Sequence, residues 1–75
     1  MSKEDFLFIF KHIGENIRST RDAQNLSQEE LAFRIRSARN YVGCIERAEK
    51  FPSIIMLYKI AKALNVKLSD LIKDL

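Results

Sequence analysis

Apolar residues recur along this chain at intervals of three and four positions, the spacing that places them on one face of a helix. The first such stripe consists of Phe6, Ile9, Phe10, Ile13 and Ile17. It predicts a helix from about Lys3 to Gln24. Asn25 follows as a suitable stop, because asparagine tolerates the left-handed backbone conformation that ends many helices.

Two short helices are predicted next. Ser27 and Glu30 have the spacing of a capping box, in which each side chain bonds the backbone amide of the other residue. This box starts the second helix, and the third helix extends from about Ala38 to Ala48. The residues that these two helices turn inward are Leu31, Ala32, Ile35, Val42 and Ile45.

Two further helices complete the prediction. Pro52 and Ser53 open the fourth helix, and Leu68 opens a short fifth helix that continues to Leu75. The inward stripe of the fourth helix is Ile54, Leu57, Ile60, Ala61 and Leu64. No stretch of the chain alternates strictly enough for a β-strand. The predicted fold class is therefore all-α, with five helices in one compact domain over residues 1–75.

The composition excludes several classes of protein. One cysteine, Cys44, cannot form an internal disulfide, and one histidine, His12, cannot complete a zinc site. We therefore expect no metal and no cofactor, and a plain surface position for His12. The longest apolar run, Phe6 to Phe10, is far shorter than a membrane span and follows two acidic residues, unlike a signal peptide. We expect a cytoplasmic protein with no membrane partner.

The charge of the chain is concentrated in one segment. The net charge is +3, and between Arg34 and Lys50 five cations stand against two carboxylates. The rest of the chain holds equal numbers of both signs. A localised basic patch is typical of a surface that binds nucleic acid, although a solvated charged face has the same composition.

The third predicted helix has the chemistry of a helix that reads DNA. Its outward face consists of Arg39, Asn40, Gly43, Cys44 and Arg47. Arginine can bond guanine and asparagine can bond adenine in the major groove. Glycine lets the backbone approach a partner closely. The short connection to the second helix requires a sharp turn, as in a helix-turn-helix.

Several segments of the chain match one known family in residue type and spacing. They are Ile13-Gly14-Glu15-Asn16-Ile17-Arg18, Arg21, Leu26-Ser27-Gln28-Glu29-Glu30-Leu31-Ala32, Ile45-Glu46-Arg47, Pro52-Ser53 and Ile60-Ala61-Lys62-Ala63-Leu64-Asn65-Val66. In these segments the chain resembles the XRE-type helix-turn-helix domain of the phage repressor and Cro family. The resemblance implies a lambda-repressor-like fold, with the helix-turn-helix at about 28–47. Within that family, the length and Arg39-Asn40-Tyr41 are similar to the controller proteins of restriction–modification systems.

The resemblance implies a role for individual residues at the DNA surface. Arg39 and Asn40 match the base-reading positions, and Cys44 matches a third one, although a thiol is a poor hydrogen-bonding group. Gln28 matches a glutamine that contacts a DNA phosphate. Arg47 and Lys50 flank the outward face of the third helix, called the reading face below, and this position also suits them to phosphate contacts.

Two other residues near this face have open roles. Tyr41 offers its hydroxyl to a phosphate or its ring to the core, and we expect the phosphate contact. Arg36 contacts the DNA backbone from the turn or is simply solvated.

The resemblance implies a structural role for two charged residues. Arg21 and Glu46 match an ion pair that ties the first helix to the third, and a bidentate geometry would fix the recognition helix. Such a pair determines the arrangement of the helices more surely than it adds stability.

Three positions depart from the family pattern, because Asn25, Arg36 and Ala48 stand where glycine is common. Either Arg36 adopts the left-handed conformation, at a cost of about 1–2 kcal/mol, or the turn follows a different path. Ser37 is a candidate cap for the third helix, since the usual cap position holds Ala38.

Apolar residues outside the inward stripes predict a partner surface. They are Ile55, Met56, Tyr58 and Leu75. A chain of 75 residues buries too little surface for comfortable stability, so we expect a symmetric homodimer through the helices at about 53–75. Two recognition helices would then read a palindromic operator in double-stranded DNA.

The function predicted is a sequence-specific transcriptional regulator, most specifically one that controls restriction–modification genes. The alternatives are a phage Cro-like repressor and an interaction module of the same fold, such as an antitoxin that captures a toxin. Activation through RNA polymerase would require an acidic patch, for which Glu29, Glu30 and Glu49 are candidates. We expect no enzyme, because the sequence offers no nucleophile with a base and no phosphate-binding glycine loop.

Overall fold

The computed structural model describes all residues, Met1–Leu75, and consists of five helices without strands. The helices are α1 (Lys3–Ala23), α2 (Gln28–Arg34), α3 (Arg39–Glu46), α4 (Ile54–Ala63) and α5 (Leu68–Leu71). The prediction of an all-α, five-helix fold is confirmed. None of these helices combines the length and the apolar character needed to cross a membrane.

Serine side chains cap three of the five helices at their starts. Ser2 and Ser53 each accept a hydrogen bond from the amide three residues ahead, at 3.1 Å. Ser27 does the same for Glu30 at 3.0 Å, and the Glu30 carboxylate accepts from the Ser27 amide at 3.1 Å. This predicted capping box is confirmed, and its hydrogen bonds lower the pKa of Glu30. The prediction of Ser37 as a cap is wrong, because α3 begins one residue later and its cap position, Ala38, has no side-chain hydrogen bond.

Four helices end in the same way, with a residue in the left-handed conformation. These residues are Asn25, Arg36, Ala48 and Asn65, with φ between 54° and 59°. The amide of the next residue then bonds back into the last helical turn; for example, Ser37 donates to the carbonyl of Ala32 at 2.8 Å. The strained alternative for the Arg36 turn is therefore the observed one.

Two helices are shorter than predicted. Helix α3 ends at Glu46 rather than Ala48 because the left-handed Ala48 breaks it. Helix α5 ends at Leu71 rather than Leu75, and side chains of α1 bind the carbonyl groups there. Asn16 donates to Leu71 at 3.0 Å, and His12 Nε2 lies 2.8 Å from the carbonyl oxygen of Lys73. His12 therefore has a bonded position and not a plain surface one.

The core is one cluster of thirteen buried residues contributed by all five helices and the α1–α2, α2–α3 and α4–α5 connections. Its largest fully buried side chains are Ile17, Leu31, Ile60, Leu64, Leu71 and Val42. Two predicted inward residues, Phe6 and Ile54, are exposed. Ile54 is 60% exposed because it occupies the first turn of α4, beyond the end of the core. Phe6 is also exposed, and it packs against Phe10 and Phe51 with ring centroids about 5 Å apart.

The two glycines lie inside helices and serve close packing. A methyl group on Gly14 would lie 2.5 Å from the carbonyl oxygen of Glu46 and 2.8 Å from that of Ile45. Helix α1 can therefore pack directly on the backbone of α3 only because Gly14 has no side chain. At Gly43 the nearest atom to such a methyl group is Nη1 of Arg47, at 3.0 Å, which is the end of a flexible side chain.

This difference gives a matched pair of substitutions. Alanine favours a helix over glycine at both positions by up to about 1 kcal/mol. A difference in stability between the two variants therefore reports the contact of residue 14 with the backbone of α3. We expect Gly14→Ala to lower the free energy of unfolding by about 1–3 kcal/mol, because backbone must shift. Gly43→Ala should be neutral or stabilising. Urea unfolding followed by circular dichroism measures both, and equal stability of the two variants would contradict the proposed close approach.

Candidate nucleic-acid interface

Helices α2 and α3 form the helix-turn-helix, and the left-handed Arg36 makes the turn between them. Helix α2 packs against α3, and α3 also packs against α1. The inward side of α3 is formed by Val42 and Ile45, both buried as predicted. These contacts leave the opposite side of α3 as the face available to DNA.

The predicted reading residues do not all lie on the surface. Arg39 and Asn40 are exposed at the start of α3, as expected, and Cys44 is half-buried. Gly43 is buried in the free protein, because side chains cover it on this face. The side chains of Arg47 and Gln28 lie over it.

The predicted ion pair between α1 and α3 is present and buried. Arg21 Nε donates to Glu46 Oε2 at 2.8 Å, and Nη2 donates to Oε1 at 3.1 Å. Arg21 Nη1 also donates to the carbonyl of Leu26 at 2.8 Å and lies 3.1 Å from a carboxylate oxygen of Asp22. The bond to Glu46 raises the pKa of Arg21, against the opposing effect of burial.

Gln28 joins this pair. Its Nε2 donates to Glu46 Oε1 at 3.0 Å, so the Glu46 carboxylate accepts three side-chain hydrogen bonds from α1 and α2. Gln28 also lines a shallow cleft with Arg39, where the start of α2 meets the start of α3. The predicted phosphate contact Gln28 is therefore held in place in the free protein by the buried ion pair.

Arg47 is paired as well, with a residue that sequence reasoning did not assign to it. Its Nε donates to Glu49 Oε2 at 3.0 Å and its Nη2 donates to Oε1 at 3.1 Å. This exposed, bidentate pair raises the pKa of Arg47 and lowers the pKa of Glu49. The two residues stand only two positions apart, and the left-handed Ala48 between them makes the contact possible. No helical spacing rule would have found it.

The other predicted phosphate contacts differ in their surroundings. Arg36 and Lys50 are exposed. Tyr41 is half-buried, and it packs against the core. Arg34, counted in the basic segment, donates to the carbonyl of Ala63 at 3.0 Å and binds the end of α4. The structure therefore groups Arg39, Gln28 and Arg47 around α3 and leaves Arg36 and Lys50 at its margins.

Three of the four predicted interface residues are exposed. Ile55 is 68% exposed, Tyr58 is 52% exposed and Leu75 is 55% exposed. Met56 is half-buried and packs against the core, so its expected exposure is wrong. Ile54 adds to this surface instead.

Comparison with known proteins identifies relatives over most of the chain. The helix-turn-helix family HTH_3 matches residues 17–71. Control protein C.SmaI of Serratia marcescens is 40% identical over 67 residues, which cover 89% of this chain and 80% of that protein. Control protein C.BamHI of Bacillus amyloliquefaciens is 40% identical over 60 residues, which cover 79% of this chain and 74% of that protein.

A solved structure is also similar. It is the crystal structure of the restriction-modification controller protein C.AhdI from Aeromonas hydrophila, which superimposes with a TM-score of 0.78 at 38% identity. The match covers 84% of this chain and 94% of that chain. The sequence resemblance stated above is confirmed by these findings.

The buried ion pair generates a testable expectation. Glu46→Gln keeps the shape of the side chain but leaves the buried Arg21 with only the exposed carboxylate of Asp22 as a counter-ion. We expect a loss of about 3–5 kcal/mol in the free energy of unfolding. The double variant Arg21→Met with Glu46→Leu removes both charges and should be more stable than Glu46→Gln alone. Thermal unfolding followed by circular dichroism measures both. A Glu46→Gln variant as stable as the wild type would contradict the structural role.

Proposed function

We propose that this chain, which belongs to the helix-turn-helix family HTH_3, binds a palindromic operator as a homodimer and controls restriction–modification genes. The members of this family are DNA-binding transcriptional regulators and not enzymes. That the chain is a DNA-binding regulator follows from the family itself. The genes come from the similarity to control proteins C.SmaI and C.BamHI and to the controller C.AhdI. A regulator of this kind acts on DNA in the cytoplasm.

One observation carries the proposal: the reading end of α3 is exposed while its other end is fixed. Arg39 and Asn40 project from the first turn of α3 and make no side-chain hydrogen bond within the chain. Glu46, in the last turn, is bonded to Arg21 and Gln28. A helix held at one end and free at the other presents its side chains in a defined orientation, which sequence-specific binding requires.

We assign base reading to Arg39 and Asn40, with Cys44 beside a thymine methyl group. The arginine fork suits the two acceptors of guanine, and the asparagine amide suits adenine. Gly43 takes part by letting the backbone come close once the Arg47 side chain has moved aside. Phosphate contacts come from Arg36, Lys50 and Arg47.

Gln28 and Tyr41 are the two remaining phosphate contacts. The Gln28 side chain is already oriented by its bond to Glu46. Tyr41 packs its ring on the core, which leaves the hydroxyl as the group for a phosphate. In this proposal the helix-turn-helix at residues 28–47 binds DNA together with Lys50, and residues 53–75 form the dimer within one domain.

We assign the dimer surface to Ile55, Tyr58 and Leu75, joined by Ile54 and the edge of Met56. Ile54, Ile55 and Tyr58 are large exposed side chains on α4, and such side chains favour a partner surface. A two-fold dimer would place its recognition helices about 34 Å apart, one turn of the duplex.

RNA polymerase is a further proposed partner, through the outer side of α2. Of the three candidate carboxylates, Glu30 is bonded in the capping box and Glu49 is bonded to Arg47. Glu29 therefore supplies the free acidic group. It lines a shallow concavity with Phe33, whose side chain is 84% exposed. The comparisons lend no support to the alternative of a toxin-binding module.

The base-reading assignment predicts two different kinds of loss. After selection of an operator from random duplexes, we expect Arg39→Ala to relax the base preference by about 1–3 kcal/mol at one position of each half-site. Lys50→Ala should weaken all sequences alike and reduce the salt slope by about 0.9 for each phosphate that the variant no longer neutralises. Fluorescence anisotropy over a salt series distinguishes them. Full, sequence-selective binding by both variants would show that α3 is not the helix that reads DNA.

The dimer assignment predicts the effect of a charge on α4. Ile55→Glu should be monomeric at concentrations where the wild type is a dimer, because burying an unpaired carboxylate in the interface is unfavourable. Phe33→Glu places the same charge on an exposed side chain of α2 and should leave the dimer intact. Sedimentation velocity measures both, with circular dichroism to check folding. A dimeric Ile55→Glu would exclude this surface.

A further inference from the structure

The Arg47 side chain lies back along α3 and covers part of the reading face. Its Nη1 would lie 3.0 Å from a methyl group on Gly43, and its Nη2 is 3.9 Å from Cys44 Sγ. Both carboxylate oxygens of Glu49 accept hydrogen bonds from the same guanidinium group. The group is thus held over Gly43 and Cys44 and not extended from the protein.

The backbone after α3 fixes Glu49 in this position. Ala48 has a φ of 59°, and the Glu49 amide donates to the carbonyl of Cys44 at 2.7 Å. The chain therefore folds back beside the last turn of α3 and brings the Glu49 carboxylate next to Arg47. Because the turn is hydrogen-bonded, the carboxylate stays near Arg47 even when the side chains move.

A carboxylate and a phosphate are competing partners for one guanidinium group. Both offer two oxygens that match the arginine fork. Arg47 can donate to Glu49 or to a DNA phosphate with this fork, but not to both in the same geometry.

We propose that Glu49 acts as an intramolecular substitute for a DNA phosphate: it binds Arg47 in the free protein, holds it over Gly43 and Cys44, and is exchanged for a backbone phosphate when DNA binds. This inference rests on the proposed role of Arg47 as a phosphate contact. Because both side chains are exposed, the exchange is easy. Glu49 therefore lowers the affinity of the regulator for DNA without preventing binding. Its exchange for a phosphate uncovers the part of α3 at which the backbone approaches the bases.

The inference predicts tighter binding when Glu49 loses its charge. Glu49→Gln should raise the affinity for a mixed-sequence duplex about two- to five-fold at low salt, the range of a surface ion pair. The gain should shrink as salt is added, because exposed pairs are screened. In the free, ¹⁵N-labelled protein, the Arg47 Nε–H resonance should move towards its solvated position. An unmoved resonance would contradict the pairing.

A double-mutant cycle separates pairing from simple repulsion between Glu49 and DNA. In an Arg47→Ala background, Glu49→Gln should lose most of its gain; an equal gain in both backgrounds, or none in either, overturns the inference. Glu29→Gln removes the same charge from a carboxylate of α2 that has no arginine partner, so its effect on affinity should be equal in both backgrounds. If the effect of Glu29→Gln also depended on Arg47, the cycle would report a general charge effect and the inference would be overturned. If Arg47→Ala alone leaves DNA binding unchanged, the proposed phosphate contact of Arg47 is wrong, and this result is distinct from a failure of the role proposed for Glu49.

Discussion

The position of the recognition helix depends on one buried contact, the ion pair between Arg21 and Glu46. Arg21 stands near the end of α1 and reaches the last turn of α3, and it also bonds the Leu26 carbonyl just before α2. Gln28, the first residue of α2, completes the set. Buried charges are costly unless every donor and acceptor is satisfied. Only one relative placement of the three helices satisfies this set, so the pair determines geometry more than it adds stability.

The turns between the helices adopt the left-handed conformation without glycine. All five left-handed residues are asparagine, aspartate, arginine or alanine, while both glycines lie in helices. For Arg36 and Ala48 this conformation costs about 1–2 kcal/mol each. The backbone hydrogen bonds that close these two helix ends, from Ser37 to Ala32 and from Glu49 to Cys44, offset part of this cost. At Arg36 the strained position also carries a cation at the edge of the interface, which glycine would not supply.

The sequence pattern predicted most of the helix starts and the core stripes, and the family resemblance implied the buried ion pair. Both failed at the start of α3, at helix ends and at contacts across turns. A stripe such as Leu57, Ile60 and Leu64 determines an angle around the helix axis, but it does not say where along the axis the core stops. Ile54 shares that angle and lies beyond the core. Gln28 was assigned to DNA from a resemblance that carries no information on its bond to Glu46. The contact between Arg47 and Glu49 depends on the φ of Ala48, which no periodicity contains.

The distribution of charge shows what the structure adds to a count. Along the sequence, the basic segment holds an excess of +3. In space Glu46 is neutralised by Arg21, which lies outside that segment, and Glu49 is bonded to Arg47. Within the basic segment, the cations that have no partner are Arg36 at the turn, Arg39 at the start of α3 and Lys50 in the following loop. The field that meets a nucleic acid therefore comes from both ends of α3. The proposed base-reading side chains stand free at the start of α3, whereas Glu46 and Arg47 at its end are already bonded within the protein. Because the Glu46 carboxylate is buried and the Glu49 carboxylate is exposed, the first can only position α3, while the second can be replaced by a phosphate from outside.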